Sequence, residues 1–324
     1  MYDIIPLHED HLQDALRLVS KRYMQLYKNV PDLPSKYTMS KTFLPLLQNL
    51  FHASGAGVAA FHQNRLVGFL TGWLMSSFRG KRSVYSPEWG NGAELSDSGK
   101  IYQEMYSFLS AEWVSRRYIA HYISLFPNDK QAINAWYWMG FGMISVDAIR
   151  GLDPIEEEPG KYQIRAAEPQ ELDQVIQLQE NLRSYMWEAP IFLITAEKDR
   201  DYYEAWLSDP QKVIWLAWAR ERPVAFMRLG PADEDVCTVI QDEGTTSIYA
   251  AFTKERFRNS GLGASLLNHA LNEARNAGYK RCAVCFEPMN LLGTRFWLKY
   301  FQPVCYSVVR YIDWRVLDDN DNVI

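Results

Sequence analysis

The ten residues KERFRNSGLG at positions 254–263 are the part of this chain best suited to chemistry. They hold Lys254, Arg256 and Arg258 together with Gly261 and Gly263, and they run straight into an amphipathic pattern. The first amides of a helix have no partner inside it, and the aligned peptide dipoles add partial positive charge there. Glycine allows positive φ and lets the main chain approach a ligand closely. The segment therefore suits a polyanion such as a diphosphate. It is not a P-loop, because no Gly-Lys-Ser/Thr follows, and GLGASL lacks the third glycine of a dinucleotide fingerprint. Taken alone, the loop reads equally as a plain helix start with Ser260 as N-cap.

The elements on either side decide where the loop points. TTSIYAAFT reads as a strand that feeds it, and the helix after it carries Leu262, Leu266, Leu267, Ala270, Leu271 and Ala274 on one face. Asn276 and Gly278 give a stop signal, KRCAVCFE is the next strand, NLLGTRFWLKY a short helix and CYSVVRYIDW a last strand. Upstream lie the strand YQIRAAE, the helical PQELDQVIQLQENLRSYM, and two strands in KVIWLAWARERPVAFMRLG joined at RERP. The first half repeats this succession, from MYDIIPLHE and HLQDALRLVSKRYMQLY through a hairpin turning near Asn64-Arg65 to the closing GMISVDAIRGL. Each copy reads β-α-β-β-β-α-β-α-β. DPIEEEPGKYQ, with two prolines, a glycine and an acidic run, separates them. The expected architecture is α/β (α+β): two tandem domains, residues 1–152 and 164–324, joined by a linker at 153–163. Each is a mixed, mostly antiparallel sheet flanked by helices.

In this context Arg258-Asn259-Ser260-Gly261-Leu262-Gly263 resembles the acyl-CoA pyrophosphate loop of the GNAT superfamily of N-acyltransferases. NLLGTRFWLKYF resembles that family's second signature, and so does DKQAINAWYWMGF in the first half, with Ala132 as the small residue and Gly140-Phe141 intact. The resemblance spans the chain as two domains of GNAT type. It implies that main-chain groups at Phe252 and Thr253 bind the pantetheine arm and thioester carbonyl. Asn259, Ser260, Gly261, Leu262, Gly263 and Ala264 would hold the diphosphate, and Asn290 the pantetheine side of the next helix. It also implies acetyl-CoA as acyl donor, a primary amine of a small molecule or peptide as acceptor, and no metal. Glu287, at the end of a strand, is the candidate base, with Asp242-Glu243 as second choice. The family often has a tyrosine in the aromatic pair of the second signature, close to the sulfur. Here the pair is Phe296-Trp297, and an indole supplies no proton at neutral pH. Tyr300, one turn beyond, is the candidate acid, with Tyr249 as another donor. Trp297 reads otherwise as core. Tyr185, Trp187 and Glu188 are placed by the resemblance near the acceptor.

The first half lacks the arginine loop. SPEWGNGAELSDSGK stands in its place, putting Glu88, Glu94 and Asp97 where a phosphate would sit, so this half is expected to bind no CoA. If those acids have no such meaning, they read as a solvated loop.

Composition narrows the rest. Among 324 residues, 34 Lys and Arg stand against 39 Asp and Glu, a net charge of −5, which gives no footprint for nucleic acid or an anionic membrane. No apolar run is long enough for a membrane span, and the opening lacks a signal peptide's apolar stretch, so a cytoplasmic location is expected. Aromatic residues make up 14%, with 11 Trp, and fit a core rich in large rings. Cys282 and Cys285 form a CxxC with no second half; with Cys237 and Cys305 they read as buried free thiols. The rival to an enzyme is a non-catalytic acyl-CoA-binding sensor or scaffold, a reading prompted by Trp297.

Overall fold

The computed structural model describes residues 2–156, 162–194, 198–233 and 235–317. The linker expected at 153–163 therefore lies partly, at 157–161, outside the described residues. In chain order the first elements are β1 (Asp3–Pro6), α1 (Leu12–Asn29), α2 (Leu44–Ser54), β2 (Gly57–His62), β3 (Arg65–Thr71), β4 (Trp73–Phe78), β5 (Lys81–Ser86), β6 (Asn91–Ala93), α3 (Ser98–Ser115), β7 (Ala120–Leu125), α4 (Lys130–Trp138) and β8 (Gly142–Gly151). There follow β9 (Gln163–Ala166), α5 (Leu172–Trp187), α6 (Arg200–Ser208), β10 (Val213–Ala219), β11 (Arg222–Pro231), β12 (Thr245–Thr253), α7 (Leu262–Asn276), β13 (Arg281–Phe286), α8 (Leu291–Tyr300) and β14 (Gln302–Tyr311). The mixed α/β class is as expected. Helices α2 and α6 are additions to the pattern read from the sequence; α6 starts where the Asp199 side chain accepts from Tyr202 N.

The chain forms two compact units. One holds residues 1–146, 237–239 and 303–324, and the other residues 147–236 and 240–302. In the first unit β1, β2, β3 and β6 pair antiparallel, and β4, β5, β7 and β14 form a second set. There β5 and β7 run parallel, while β14 lies antiparallel to β7. In the second unit the order is β8-β13-β12-β11-β10-β9, with β12 and β13 parallel. The units thus do not follow chain order: β14 is the last strand in sequence, yet it pairs in the first unit.

Local chemistry accounts for the connections. The β2–β3 hairpin turns through Gln63 and Asn64, both at positive φ, which matches the right-handed twist of the strands it joins. Each unit has its own core. Trp113, Trp136, Tyr102 and Leu109 anchor the first. In the second, Leu172, Val175 and Leu178 of α5 and Trp206 of α6 pack on Leu216 and Phe226 of the sheet. Six of the tryptophans (89, 113, 136, 206, 218 and 297) are buried, so the aromatic excess is mostly core.

Candidate active site

The site begins where two strands part. β12 and β13 pair from Thr245↔Arg281 to Ile248↔Val284, and no pair follows. On its other edge β12 carries a bulge: β11 Arg228 opposes Ala250 while Leu229 opposes Ile248, so Tyr249 is the extra residue. A bulge bends and twists its strand, here turning residues 250–253 away from β13. Lys254 N donates to Val224 O at 2.9 Å. By the alternation of an antiparallel ladder, Phe252 and Ala250 also spend their backbone groups on β11, which leaves the amides of Ala251 and Thr253 facing the gap. The backbone groups aimed at the gap are thus those of Thr253 and Ala251. Phe252 meets the gap by its ring instead.

The loop leaving β12 ends in left-handed turns, Asn259 at φ 56° and Gly261 at φ 78°. Gly261 is itself the N-cap of α7 and offers no side chain. The expected cap, Ser260, instead donates its hydroxyl to Phe257 O at 2.7 Å. The first bond of the helix is Ser265 N to Gly261 O, so the amides of Asn259 through Ala264 have no partner among the described residues. That is a row of donors at the positive end of a helix. Of the three basic residues only Arg258 joins it: Lys254 Nζ donates to Pro223 O, and Arg256 lies over the Phe257 ring. Gly263 is closely packed for another reason: a Cβ there would stand 3.3 Å from the Phe296 ring, which would have to shift.

Between these parts lies a cavity of about 510 Å³. Its lining includes Phe252, Thr253, Arg258, Asn259, Gly261, Gly263, Ala264 and Asn290, and also Tyr300 and Trp297. Leu262 is buried under the loop and Ser260 is exposed, so neither side chain reaches the lining. Arg258 Nε donates to Thr253 O at 3.0 Å, and its guanidinium lies 4.6 Å from the Tyr185 ring. Asn290 caps α8, its Oδ1 accepting from Gly293 N at 3.1 Å and from the Tyr185 hydroxyl at 2.9 Å. Lys299 Nζ donates to the Tyr300 hydroxyl at 2.8 Å, so that oxygen is an acceptor there and its own proton points elsewhere.

Other sequence candidates stand apart from this lining. Glu287 follows β13, and its carbonyl accepts from Asn290 N at 3.0 Å; its carboxylate is not among the lining groups. Asp242 accepts from Arg281 at 2.9 Å and from Gly244 N, a turn-holding role, and Glu243 is exposed. The Tyr249 hydroxyl donates to Pro231 O at 2.6 Å. Of Tyr185, Trp187 and Glu188 only Tyr185 lines the cavity, and Trp187 is largely exposed. The CxxC splits across β13: Cys282 is buried, which pushes its thiol up to about 12, whereas Cys285 is exposed. Residues three apart in a strand face opposite sides, so the expectation of four buried thiols fails at Cys285.

The matching region of the first unit is stitched shut. β5 and β7 pair up to Ser86↔Ile123. Beyond that point Asn91 Nδ2 donates to Ser124 O at 3.0 Å and to Pro87 O at 2.9 Å, while Tyr102 donates to Asn91 Oδ1. Arg22, buried, bonds Asp129, the cap of α4, and Ser98 does the same. None of the three acids of the loop is merely solvated. Glu88 accepts from Val239 N, Glu94 pairs with Arg65, and Asp97 accepts from Tyr2 at 2.6 Å.

Comparison with known proteins bears on this geometry. Residues 179–301 match the model of the Acetyltransferase (GNAT) family. No curated protein matches the sequence. Among solved structures, a GCN5-related N-acetyltransferase from Sphaerobacter thermophilus superposes with TM-score 0.58 at 11% identity, over 96% of this chain and 95% of that one. An acetyltransferase of the GNAT family from Colwellia psychrerythraea gives 0.50 at 12% identity, over 96% and 100%. A GCN5-related glucosamine N-acetyltransferase region of a fungal multi-domain β-N-acetylglucosaminidase gives 0.53 at 15%, over 95% of this chain but 38% of that one. The splayed strands, the uncapped helix start and the sequence match coincide in one stretch of chain, so residues 179–301 are of the acetyltransferase (GNAT) family type and the chain has the fold of the GNAT N-acetyltransferases it superposes on.

Proposed function

We propose that this protein transfers an acyl group, most simply acetyl from acetyl-CoA, to a primary amine of a small molecule or peptide, and that residues 164–324 carry the reaction. The observation that carries the reading is the row of amides from Asn259 to Ala264, without partners among the described residues, at a cavity lined by β12, α7 and α8. An acyl-CoA supplies an activated carbonyl. The chain's part is to hold it. The loop amides and Arg258 receive the diphosphate, and the Nδ2 of Asn290 and the gap-facing amides of Ala251 and Thr253 meet the pantetheine and the carbonyl oxygen.

Tyr300 is the group on the lining suited to protonate the departing sulfur as the new C–N bond forms and the C–S bond breaks. No carboxylate is found among the lining residues, Glu287 included. The acceptor amine therefore reaches the carbonyl already neutral, its proton lost to water. The first half, with Asn91 bridging the equivalent gap, is read as a domain of the same type without a donor site. The four thiols form no disulfide, which suits the cytoplasm. No helix of the described residues is long and apolar enough to cross a membrane.

A second reading, an acyl-CoA-binding sensor or scaffold, is favoured by the same lack of a lining carboxylate. Calorimetric titration with acetyl-CoA followed by an amine panel separates the two. One site per chain with amine-dependent thiol release supports the enzyme. One site with no release for any amine supports the sensor. Two sites overturn the silent first half, and no heat of binding overturns the donor site itself.

A further inference from the structure

Arg228 is a charge with no ion-pair partner among the described residues. It lies inside β11 and is 8% exposed. Among the described residues its Nε and Nη1 find no hydrogen-bond partner, and no carboxylate forms an ion pair with it. Its guanidinium lies 4.4 Å from the Trp206 ring and 5.4 and 5.9 Å from those of Tyr202 and Tyr203, all on α6. Stacking of this kind uses the face of the guanidinium, whereas the N–H donors point outward in its plane, and those on Nε and Nη1 are left unused. Buried charges without a partner are rare in folded proteins because each is strongly unfavourable.

The position is as informative as the burial. Arg228 is two residues from Phe226 on β11, on the same face of the sheet and about 7 Å further along. Phe226 and Met227 both line the cavity, and Arg228 is the next residue along the strand. Across the ladder it opposes Ala250, next to Ala251, whose amide faces the gap. Arg228 therefore adjoins the lining residue Met227 in its own strand and, across the ladder, the neighbour of the lining residue Ala251; on the acyl-transfer reading this is the side of the cavity away from the diphosphate loop. Tyr249, the bulged residue, closes the same corner with its ring 4.9 Å from Trp206.

We infer that Arg228 recognises a carboxylate on the acceptor, so that the amine acetylated here belongs to an amino acid or a similar amine-bearing acid. The inference rests on the acyl-transfer reading above. A carboxylate would supply the in-plane acceptors that the guanidinium lacks, against a wall of aromatic rings that excludes water and strengthens the pair. An uncharged amine of the same shape would leave Arg228 buried and unpaired in the complex. Discrimination of this kind, by a polar group left without its partner, is the steepest that a binding site achieves.

The test uses the full chain with acetyl-CoA and pairs of amines that differ only in the carboxylate: α-amino acids and dipeptides against the corresponding decarboxylated amines. The expected result is a preference for the carboxylated member on the order of 10- to 100-fold in kcat/KM, expressed mainly in KM. Arg228→Gln should abolish that preference and Arg228→Lys should restore part of it. Acetyl-CoA titration of each variant reports separately on the donor site. Equal use of the two members by the wild-type protein overturns the inference, as does a preference that survives in Arg228→Gln, or turnover of decarboxylated amines alone. The wild-type comparison needs no variant, so it holds even if Arg228→Gln fails to fold. Loss of acetyl-CoA binding in the wild-type protein would instead remove the acyl-transfer reading on which this one rests.

Discussion

Tyr185 reaches from α5 to the cap of α8, its hydroxyl donating to Asn290 Oδ1 at 2.9 Å, while Arg258 lies against its ring. Three elements that would surround an acyl-CoA are thus already tied together, with Asn290 as their common point. Tyr185→Phe removes one hydrogen bond and should lower the stability of the protein by about 1 kcal/mol in denaturant unfolding. If the pantetheine arm must displace that bond, the same variant should bind acetyl-CoA more tightly, by a few-fold in calorimetry. Weaker binding would mean that the Tyr185 hydroxyl itself helps to hold the ligand.

Gly261 has open space around its Cα, so its requirement is conformational and electrostatic, not steric. At φ 78° a side chain is strained, and Gly261→Ala should destabilise by about 1 kcal/mol. Gly261→Asp adds a negative charge beside the row of free amides. Its Kd for acetyl-CoA should rise at least tenfold beyond that of the alanine variant. Equal affinities in the two variants would place the diphosphate elsewhere.

Tyr300→Phe keeps the ring that packs on Phe296 and removes the proton donor. We expect kcat to fall about 100-fold with acetyl-CoA affinity unchanged. Glu287→Gln should leave kcat within about twofold. With no carboxylate on the lining, kcat/KM should rise with pH in parallel with the free-base fraction of the amine. A separate break in the acid range of a carboxylate would return the base to Glu287.

His121 gives a pH dependence unrelated to catalysis. It is buried in the first unit, where Nε2 donates to Tyr118 O at 3.1 Å and Nδ1 accepts from the Tyr106 hydroxyl at 2.8 Å. Burial holds it down to about 4, against an ordinary 6.5. The folded state thus excludes the proton that the unfolded chain takes up. Stability is full above about pH 6.5 and declines as pH falls toward 4, by about 3 kcal/mol in all. Urea unfolding across that range, compared with His121→Gln, should show a slope that the variant loses.

The site was legible in the sequence where its determinants are local. The β12–loop–α7 unit follows from a strand pattern, two glycines and the spacing of Leu262, Leu266, Leu267, Ala270, Leu271 and Ala274, all of which are buried. What depends on distant partners was not legible. Nothing in the letters says that Glu94 meets Arg65 or that Asp97 meets Tyr2, so the loop read as acids set against a phosphate or lying in solvent. Ser260 read as a cap because its type fits one, but the left-handed residues on either side turn its hydroxyl back to Phe257. Helix α6 escaped because nine residues are too few turns for its amphipathic spacing to stand out; its other local signal is Asp199 three residues before Tyr202. Arg228 had no signal at all, since an arginine among the apolar residues of VAFMRLG reads as a strand's edge and its burial is a property of the sheet.

The pairing of β14 with β7 also sets an order of events during synthesis. Ser124 and Ser307 share a hydrogen bond of 2.9 Å although 183 positions separate them in the chain. As the nascent chain leaves the ribosome, β7 emerges ahead of β14 and waits for it while the strands of the second unit are translated. The second unit, ending at Gln302, has all its strands before then. The half that is made first is therefore the half that is finished last. A chain stopped between α8 and β14 would keep most of the acyl-transfer site and leave β7 an open edge, available to the β14 of another molecule.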